Sequence, residues 1–242
     1  MFSFFHSKQQ DGRPALLKNM TDVHTHLLPG VDDGAQSESD ANDILQFMHK
    51  MGVRRIYLTP HVMADLPGNT PEALRQRYEA FVNNNPPGPE LRLAAEYMMD
   101  AAFTHLIKKG LLTMARQHVL VETSYLSPPP RMKDILYELS LSGYQPIIAH
   151  PERYLYMHGD DYRRLKDNGY KLQLNLFSLS GAYGQMAERN AILLLKQGLY
   201  DYAGSDVHRL DYYRDSLANL SPSRSQLKEL ERLIANNHTL WQ

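Results

Sequence analysis

Short runs of β-favouring residues alternate with stretches whose apolar positions recur at helical spacing, through most of the chain. Asp22-Val23-His24-Thr25-His26-Leu27 reads as a strand entering a loop. Between Ser37 and Met51, the residues Ile44, Leu45, Phe47, Met48 and Met51 fall at helical spacing, and Gly52 stops the helix. Further strands are expected over residues 53–59, 91–97, 118–122, 145–149, 170–176 and 199–203. A helix starts at Thr70-Pro71, where a capping hydroxyl precedes a first-turn proline, and fades into the Asn- and Pro-rich loop 83–89. Others are expected over 101–109, 132–141, 161–168 and 185–196, and a last one runs from Ser221-Pro222 through Ile234. Repeated βα units pair their strands in parallel, so the pattern predicts an α/β barrel or a doubly wound sheet.

In a parallel barrel the strand ends share one face, and sites are built there. The ionisable residues fall at those ends. His24 and His26 end the first expected strand, His61 follows the second, Glu96 closes the third and Glu122 the fourth. His150 follows the fifth, and Asp206 with His208 follows the seventh. Because strand side chains alternate, His24-Thr25-His26 puts two imidazoles on one face, and Asp206-Val207-His208 repeats the geometry. Imidazole and carboxylate are divalent-metal ligands, so the set reads as a metal site. The acidic turn Gly30-Val31-Asp32-Asp33-Gly34 can bring a carboxylate into it. His6, His49, His105, His118, His158 and His238 lack a partner carboxylate at a strand end and read as surface or packing residues.

Composition narrows the chemistry. Of 242 residues, 43% are hydrophobic and 22% charged, which is globular material, and the net charge of -1 gives no general attraction to nucleic acid. With 0 Cys there is no disulfide framework, thiolate zinc site or cysteine nucleophile, and a reducing cytoplasm is expected. No apolar run approaches the roughly 18–20 residues of a membrane helix, so no membrane insertion is expected. The start, Met1 to Lys8, is too short in apolar residues for a signal peptide, and residues 1–20 read as an N-terminal extension. Residues 21–242 are then expected to form one domain. There is no GxGxxG, P-loop or GxSxG motif.

The string Asp22 to Gly34 resembles the opening of the PHP (polymerase and histidinol phosphatase) superfamily. More narrowly, it resembles the bacterial manganese-dependent tyrosine-protein phosphatases of the CpsB/CapC type. Thr59-Pro60-His61, Ala95-Glu96-Tyr97, Leu120-Val121-Glu122, His150-Pro151-Glu152-Arg153-Tyr154, Gln173-Leu174-Asn175 and Gly204-Ser205-Asp206-Val207-His208 continue the match in order, over about residues 20 to 210. The resemblance implies a distorted (β/α)7 TIM-like barrel holding three divalent ions, Mn²⁺ first, with Fe, Zn or Mg compatible with the donors. It implies one ion on His24, His26, Glu96 and Asp206, a second on Glu96, Glu122 and His150, and a third on Asp33, His61 and His208. Asp33 rather than Asp32 follows from alignment to the family's GVDDG string. Arg153 matches the family's phosphate-contacting arginine, and His61 or His208 can assist proton transfer. The segment after His61, Val62 to Leu66, lacks basic residues that some relatives carry. The implied substrate is a phosphotyrosine protein, such as the C-terminal tyrosine cluster of a bacterial tyrosine kinase serving capsule or exopolysaccharide synthesis. Two other readings are compatible with the residues: a small-molecule phosphomonoesterase of the histidinol-phosphate kind, and a metal-bound regulatory partner without catalysis.

Overall fold

Two all-parallel sheets carry the architecture, described in a computed structural model for residues 16–84 and 86–242. The first has the order β1 (Thr21–Asp22), β2 (Arg55–Leu58), β4 (Glu90–Leu93). The second runs β3 (His61–Val62), β5 (Glu96–Met98), β6 (His118–Glu122), β7 (Gln145–Ala149), β8 (Lys171–Asn175), β9 (Tyr202–Gly204). Helices α1 (Glu38–Met51), α2 (Pro71–Asn83), α3 (Phe103–Lys109), α4 (Met132–Leu141), α5 (Gly159–Asp167), α6 (Gln185–Lys196), α7 (Leu210–Asn219) and α8 (Arg224–Asn237) connect or follow the strands. Residues 1–15 of the expected N-terminal extension, with His6, lie outside the described residues, while Leu16, Leu17 and Met20 of it are buried in the large core.

The two sheets are stitched together where strands break. The second expected strand forms β2 and stops at Thr59-Pro60, because proline has no N–H for the ladder, and the short β3 beyond it was not expected. The third divides into β4 and β5 at Ala94-Ala95, so Glu96 opens β5 rather than closing a strand. Across both breaks the chains stay aligned: Ala94 N–H donates to Leu58 O at 2.9 Å and Glu96 N–H to Pro60 O at 3.1 Å. The first expected strand is shortened to two residues, and the chain regains pairing at Thr25, which bridges Val207 in parallel. There His26 N–H donates to Val207 O at 2.9 Å and Asp206 N–H to His24 O at 2.8 Å.

Strands buried on both faces separate two cores, as parallel sheets require. Val119 and Val121 of β6, Ile148 of β7 and Leu172 and Leu174 of β8 face the helices in the large core. Leu120, Ile147, Ala149 and Tyr202 point the other way, into a second cluster with Tyr57, Leu240 and Trp241. The chain end is held there: the Tyr57 hydroxyl donates to Leu240 O at 2.6 Å, and Arg92 lies 4.3 Å over the Trp241 ring.

Local chemistry sets the helix limits. Ser37 accepts the Asp40 N–H at 3.1 Å, and Gly52 takes the left-handed C-cap conformation at φ 107°. The last helix begins at Arg224 rather than at Ser221-Pro222, because Ser223 and Gln226 form a capping box. Helix α7 was not expected; Leu210-Asp211-Tyr212-Tyr213-Arg214 has no clear apolar period, and only Tyr213, Ser216 and Leu217 of that helix are buried.

Candidate metal centre

Alternation along the strands aims the functional side chains away from the helices. Glu122 shares the Leu120 face of β6, and Gln173 and Asn175 lie on the face of β8 opposite Leu172 and Leu174. At two positions the backbone departs from regular structure. His150 has φ 31° and Asp206 φ 54°, left-handed values that are costly without glycine. The turn at His150 reverses the alternation of β7, which would otherwise carry its imidazole toward the helices.

Four donor atoms meet at the centre. His24 Nε2 lies 3.1 Å from His26 Nε2, 3.2 Å from Glu96 Oε2 and 3.2 Å from Asp206 Oδ1. His26 Nε2 lies 3.3 Å from Glu96 Oε2 and 3.2 Å from Asp206 Oδ1. All four residues are buried. The opposite nitrogen of each ring is committed as a donor. His24 Nδ1 meets Gln173 Oε1 at 3.0 Å, and the Gln173 amide is oriented by its own bond to Leu174 O. His26 Nδ1 meets Asp32 Oδ2 at 2.9 Å. With both rings neutral, each Nε2 presents a lone pair and the cluster converges four acceptors. The centre of a tetrahedron with edges of this length lies about 2 Å from each corner, a metal–ligand distance. The donor set fits a divalent ion.

Two further groups adjoin it. His61 Nδ1 lies 3.0 Å from Glu122 Oε1 and 3.2 Å from Glu96 Oε2, and all three atoms are buried with no hydrogen bond among the described residues. Asp33 Oδ1 lies 3.5 Å from His61 Nε2 and 3.3 Å from His208 Nε2, and His26 completes that group. His208 Nδ1 donates to Asp206 O at 2.9 Å, which leaves its Nε2 bare toward Asp33. His150 Nε2 contacts the other Glu96 oxygen at 3.0 Å, while its Nδ1 is buried without a partner. The structure thus brings His24, His26, Asp33, His61, Glu96, Glu122, His150, Asp206 and His208 together. His61, rather than the expected His150, completes the group of Glu96 and Glu122; His150 stands beside it, and His49, His105, His118, His158 and His238 also stand outside the three groups.

The electrostatics follow from crowded carboxylates. Burial lowers the His24 pKa, but the charges of Glu96 and Asp206 outweigh it and raise it to about 9. Glu96 and Asp206 are held well below the carboxylate range by the imidazoles, against burial that pushes them up. Without an ion, the His24 proton occupies the ion's place. Apparent metal affinity should therefore rise with pH above neutrality, and loading at pH 7 should release protons from His24 and His26. An indicator in weakly buffered solution counts them; loading with no proton release at pH 7 would show that both are neutral beforehand.

Asp206 also reaches the outer wall. Its Oδ2 accepts from Arg153 Nη1 at 2.8 Å and from Asn175 Nδ2 at 2.9 Å. Arg153 lies between two rings, 4.5 Å from the Tyr125 centroid and 4.1 Å from that of Tyr183. His61, Glu96, His150, Arg153, Asp206 and His208 line one open cavity of about 610 Å³, with both tyrosines. The sequence reading assigned no role to Asp32, Tyr125, Gln173, Asn175 or Tyr183. A carboxylate adjoining Asp33 and polar residues at the end of β8 were the signals present for three of them.

Two glycines are needed for this close approach. A Cβ on Gly34 would stand 1.9 Å from His26 O, and one on Gly204 would stand 2.6 Å from His24 Cβ. Gly204→Ala should cost about 1–3 kcal/mol by overpacking and displace His24. The expected outcome is a melting temperature lower by roughly 3–10 °C together with reduced metal content. Wild-type values of both would show that the segments can part at no cost.

A buried imidazole–carboxylate centre at the strand ends of a parallel α/β fold defines a metallohydrolase class of site. The chain belongs to the family described as capsular polysaccharide synthesis, CpsB/CapC, whose model matches residues 20–222. It is 29% identical over 203 residues to the tyrosine-protein phosphatase YwqE of Bacillus subtilis (strain 168), covering 79% of this chain and 78% of that protein. It is 27% identical over 237 residues to the tyrosine-protein phosphatase CpsB of Streptococcus pneumoniae, covering 90% and 96%. A solved structure from work on YwqE from Bacillus subtilis and CpsB from Streptococcus pneumoniae, described as unique metal-dependent tyrosine phosphatases, superposes with TM-score 0.72 at 24% identity. The superposition covers 92% of this chain and 94% of that one.

Proposed function

We propose that this chain is a metal-dependent protein-tyrosine phosphatase. The observation that carries the reading is the convergence of four bare donor atoms at 3.1–3.3 Å beside Arg153, at the floor of an open cavity. The tyrosine phosphatase activity of the relatives named above supports it. We read the nine gathered residues as holding three divalent ions; the carboxylates suit Mn²⁺, the imidazoles suit Fe or Zn as well, and the family resemblance favours Mn²⁺. His24, His26, Glu96 and Asp206 would hold one, Glu96, Glu122 and His150 the second, and Asp33, His61 and His208 the third. The bridged breaks between the sheets, with the Thr25–Val207 pairing, support the reading as a distorted seven-stranded barrel.

Ions so held lower the pKa of a water and neutralise charge on a phosphoryl group. Arg153 supplies a planar, permanently charged fork for phosphoryl oxygens; the Asp206 charge holds its pKa up against burial. With 0 Cys there is no phosphocysteine route. The departing phenolate has a pKa near 10 and needs little protonation. His61 and His208, the imidazoles with 15% and 25% side-chain exposure, are placed for whatever proton transfer remains. The partner is a phosphotyrosine protein, such as the tyrosine-rich tail of a bacterial kinase. A cytoplasmic location fits that partner and the absence of cysteine. No helix among the described residues is long and apolar enough to cross a membrane.

The test is metal analysis of purified protein combined with turnover of a phosphotyrosine peptide and of histidinol phosphate. Chelation should abolish peptide turnover, Mn²⁺ should restore it, and thiol reagents should have no effect. Full activity after verified metal removal would overturn the proposal, and preference for histidinol phosphate would overturn its substrate class.

A further inference from the structure

The Arg153 side chain is held more tightly than a phosphate-binding arginine at an open cavity requires. Its guanidinium carbon lies 4.5 Å from one tyrosine centroid and 4.1 Å from the other, so Tyr125 and Tyr183 form the two jaws of a clamp. They come from different parts of the chain. Tyr125 follows β6, and its ring stacks on buried Tyr154 at 6.2 Å and 30°, while Leu155 N–H donates to Tyr125 O at 2.8 Å. Tyr183 sits in a four-residue turn between Gly181 (φ 76°) and Gly184 (φ 87°), and the Tyr212 hydroxyl donates to Ala182 O in the same turn. Each jaw therefore has its own support. Among the described residues, the one side-chain hydrogen bond of Arg153 is Nη1 to Asp206 Oδ2, so Nη2 and Nε keep their donors for a ligand.

We propose that Tyr125 and Tyr183 are positioning residues that hold the Arg153 guanidinium flat through their ring faces, so that its free edge meets two phosphoryl oxygens without first being ordered. This rests on the reading of Arg153 as the phosphate contact. An arginine on a flexible stem otherwise loses rotamer freedom when it binds, and a pre-formed sandwich removes that loss before the ligand arrives. The ring face does this work; the hydroxyl does not. The rings also exclude water from both sides of the cation, which strengthens its hydrogen bonds.

The experiment compares Tyr125→Phe, Tyr125→Leu, Tyr183→Phe and Tyr183→Leu, each alone and with Arg153→Ala. Readouts are kcat and KM on a phosphotyrosine peptide, the inhibition constant of inorganic phosphate, metal content and melting temperature. The Phe variants should stay within about twofold of wild type. The Leu variants should weaken phosphate inhibition and lower kcat/KM by about tenfold, the size of a desolvated cation–π contact, with metal content unchanged. In the Arg153→Ala background the Leu changes should add nothing. Equal losses for Phe and Leu, or Leu losses that persist without Arg153, would overturn the clamp. So would a large Arg153→Ala effect with no Leu effect. If Arg153→Ala itself left phosphate inhibition and turnover unchanged, the phosphate-contact reading would fail instead. Tyr125, 39% exposed, gives a variant whose folding is not at issue if Tyr183→Leu is unstable.

Discussion

Glu96→Gln should lose about a thousandfold or more in kcat/KM and more than one metal ion per chain, the largest effect of any single substitution in the site. Glu96 Oε2 faces His24, His26 and His61 at 3.2–3.3 Å, and Oε1 faces His150 at 3.0 Å. It belongs to two of the three donor groups, so one change opens both. The amide keeps the shape but removes the charge, and its NH₂ brings protons into a space built from lone pairs. Asp33→Ala is the contrast: its side chain is 72% exposed and it enters one group only, so a smaller loss limited to one ion is expected. Metal analysis, circular dichroism and kinetics on the two variants decide the matter. A folded Glu96→Gln protein with wild-type metal content and rate would remove Glu96 from the centre.

Arg153→Ala should lower kcat/KM by about 30- to 1000-fold, the roughly 2–4 kcal/mol of one charge-assisted transition-state contact. The structure adds a condition to that expectation. Arg153 donates to Asp206 Oδ2, and Asp206 Oδ1 belongs to the four-donor group. Removing the arginine leaves Asn175 holding that carboxylate, so metal content should fall modestly rather than collapse. Arg153→Lys separates geometry from charge, because an ammonium replaces the planar fork. Kinetics within about threefold of wild type for both variants would remove Arg153 from the catalytic list.

Much of the architecture was legible because strong local signals agreed with tertiary demands. Strands 118–122 and 145–149 and helices 132–141 and 185–196 have the expected limits. Pattern was less informative where long-range pairing decides. The expected strand at Asp22–Leu27 is interrupted because its continuation pairs with Val207, far away in sequence. Helix α7 has a narrow buried face and no strong period. In the site, the types and spacings of the imidazoles and carboxylates marked eight residues that do meet, and the family resemblance added Asp33. Sequence could not assign Asp32 to the far side of the His26 ring, nor Gln173 to His24, because such bonds depend on which ring nitrogen faces inward. The tyrosines around Arg153 carried no distinguishing pattern among 15 scattered tyrosines.

The way the last strand returns to the first sets a schedule for making the protein. Asp22 Oδ1 accepts both the His24 N–H and the Ser205 N–H, and the latter bond closes a separation of 183 residues. At roughly 5–20 residues per second, a ribosome takes about 10 to 40 s to supply the second partner after the first. During that interval His24 and His26 lack Asp206, and no complete four-donor group exists to capture an ion selectively. On the proposed reading, metal acquisition would thus wait until Asp206 has been made, and a loaded centre would report that the segments of Asp22 and Ser205 have met.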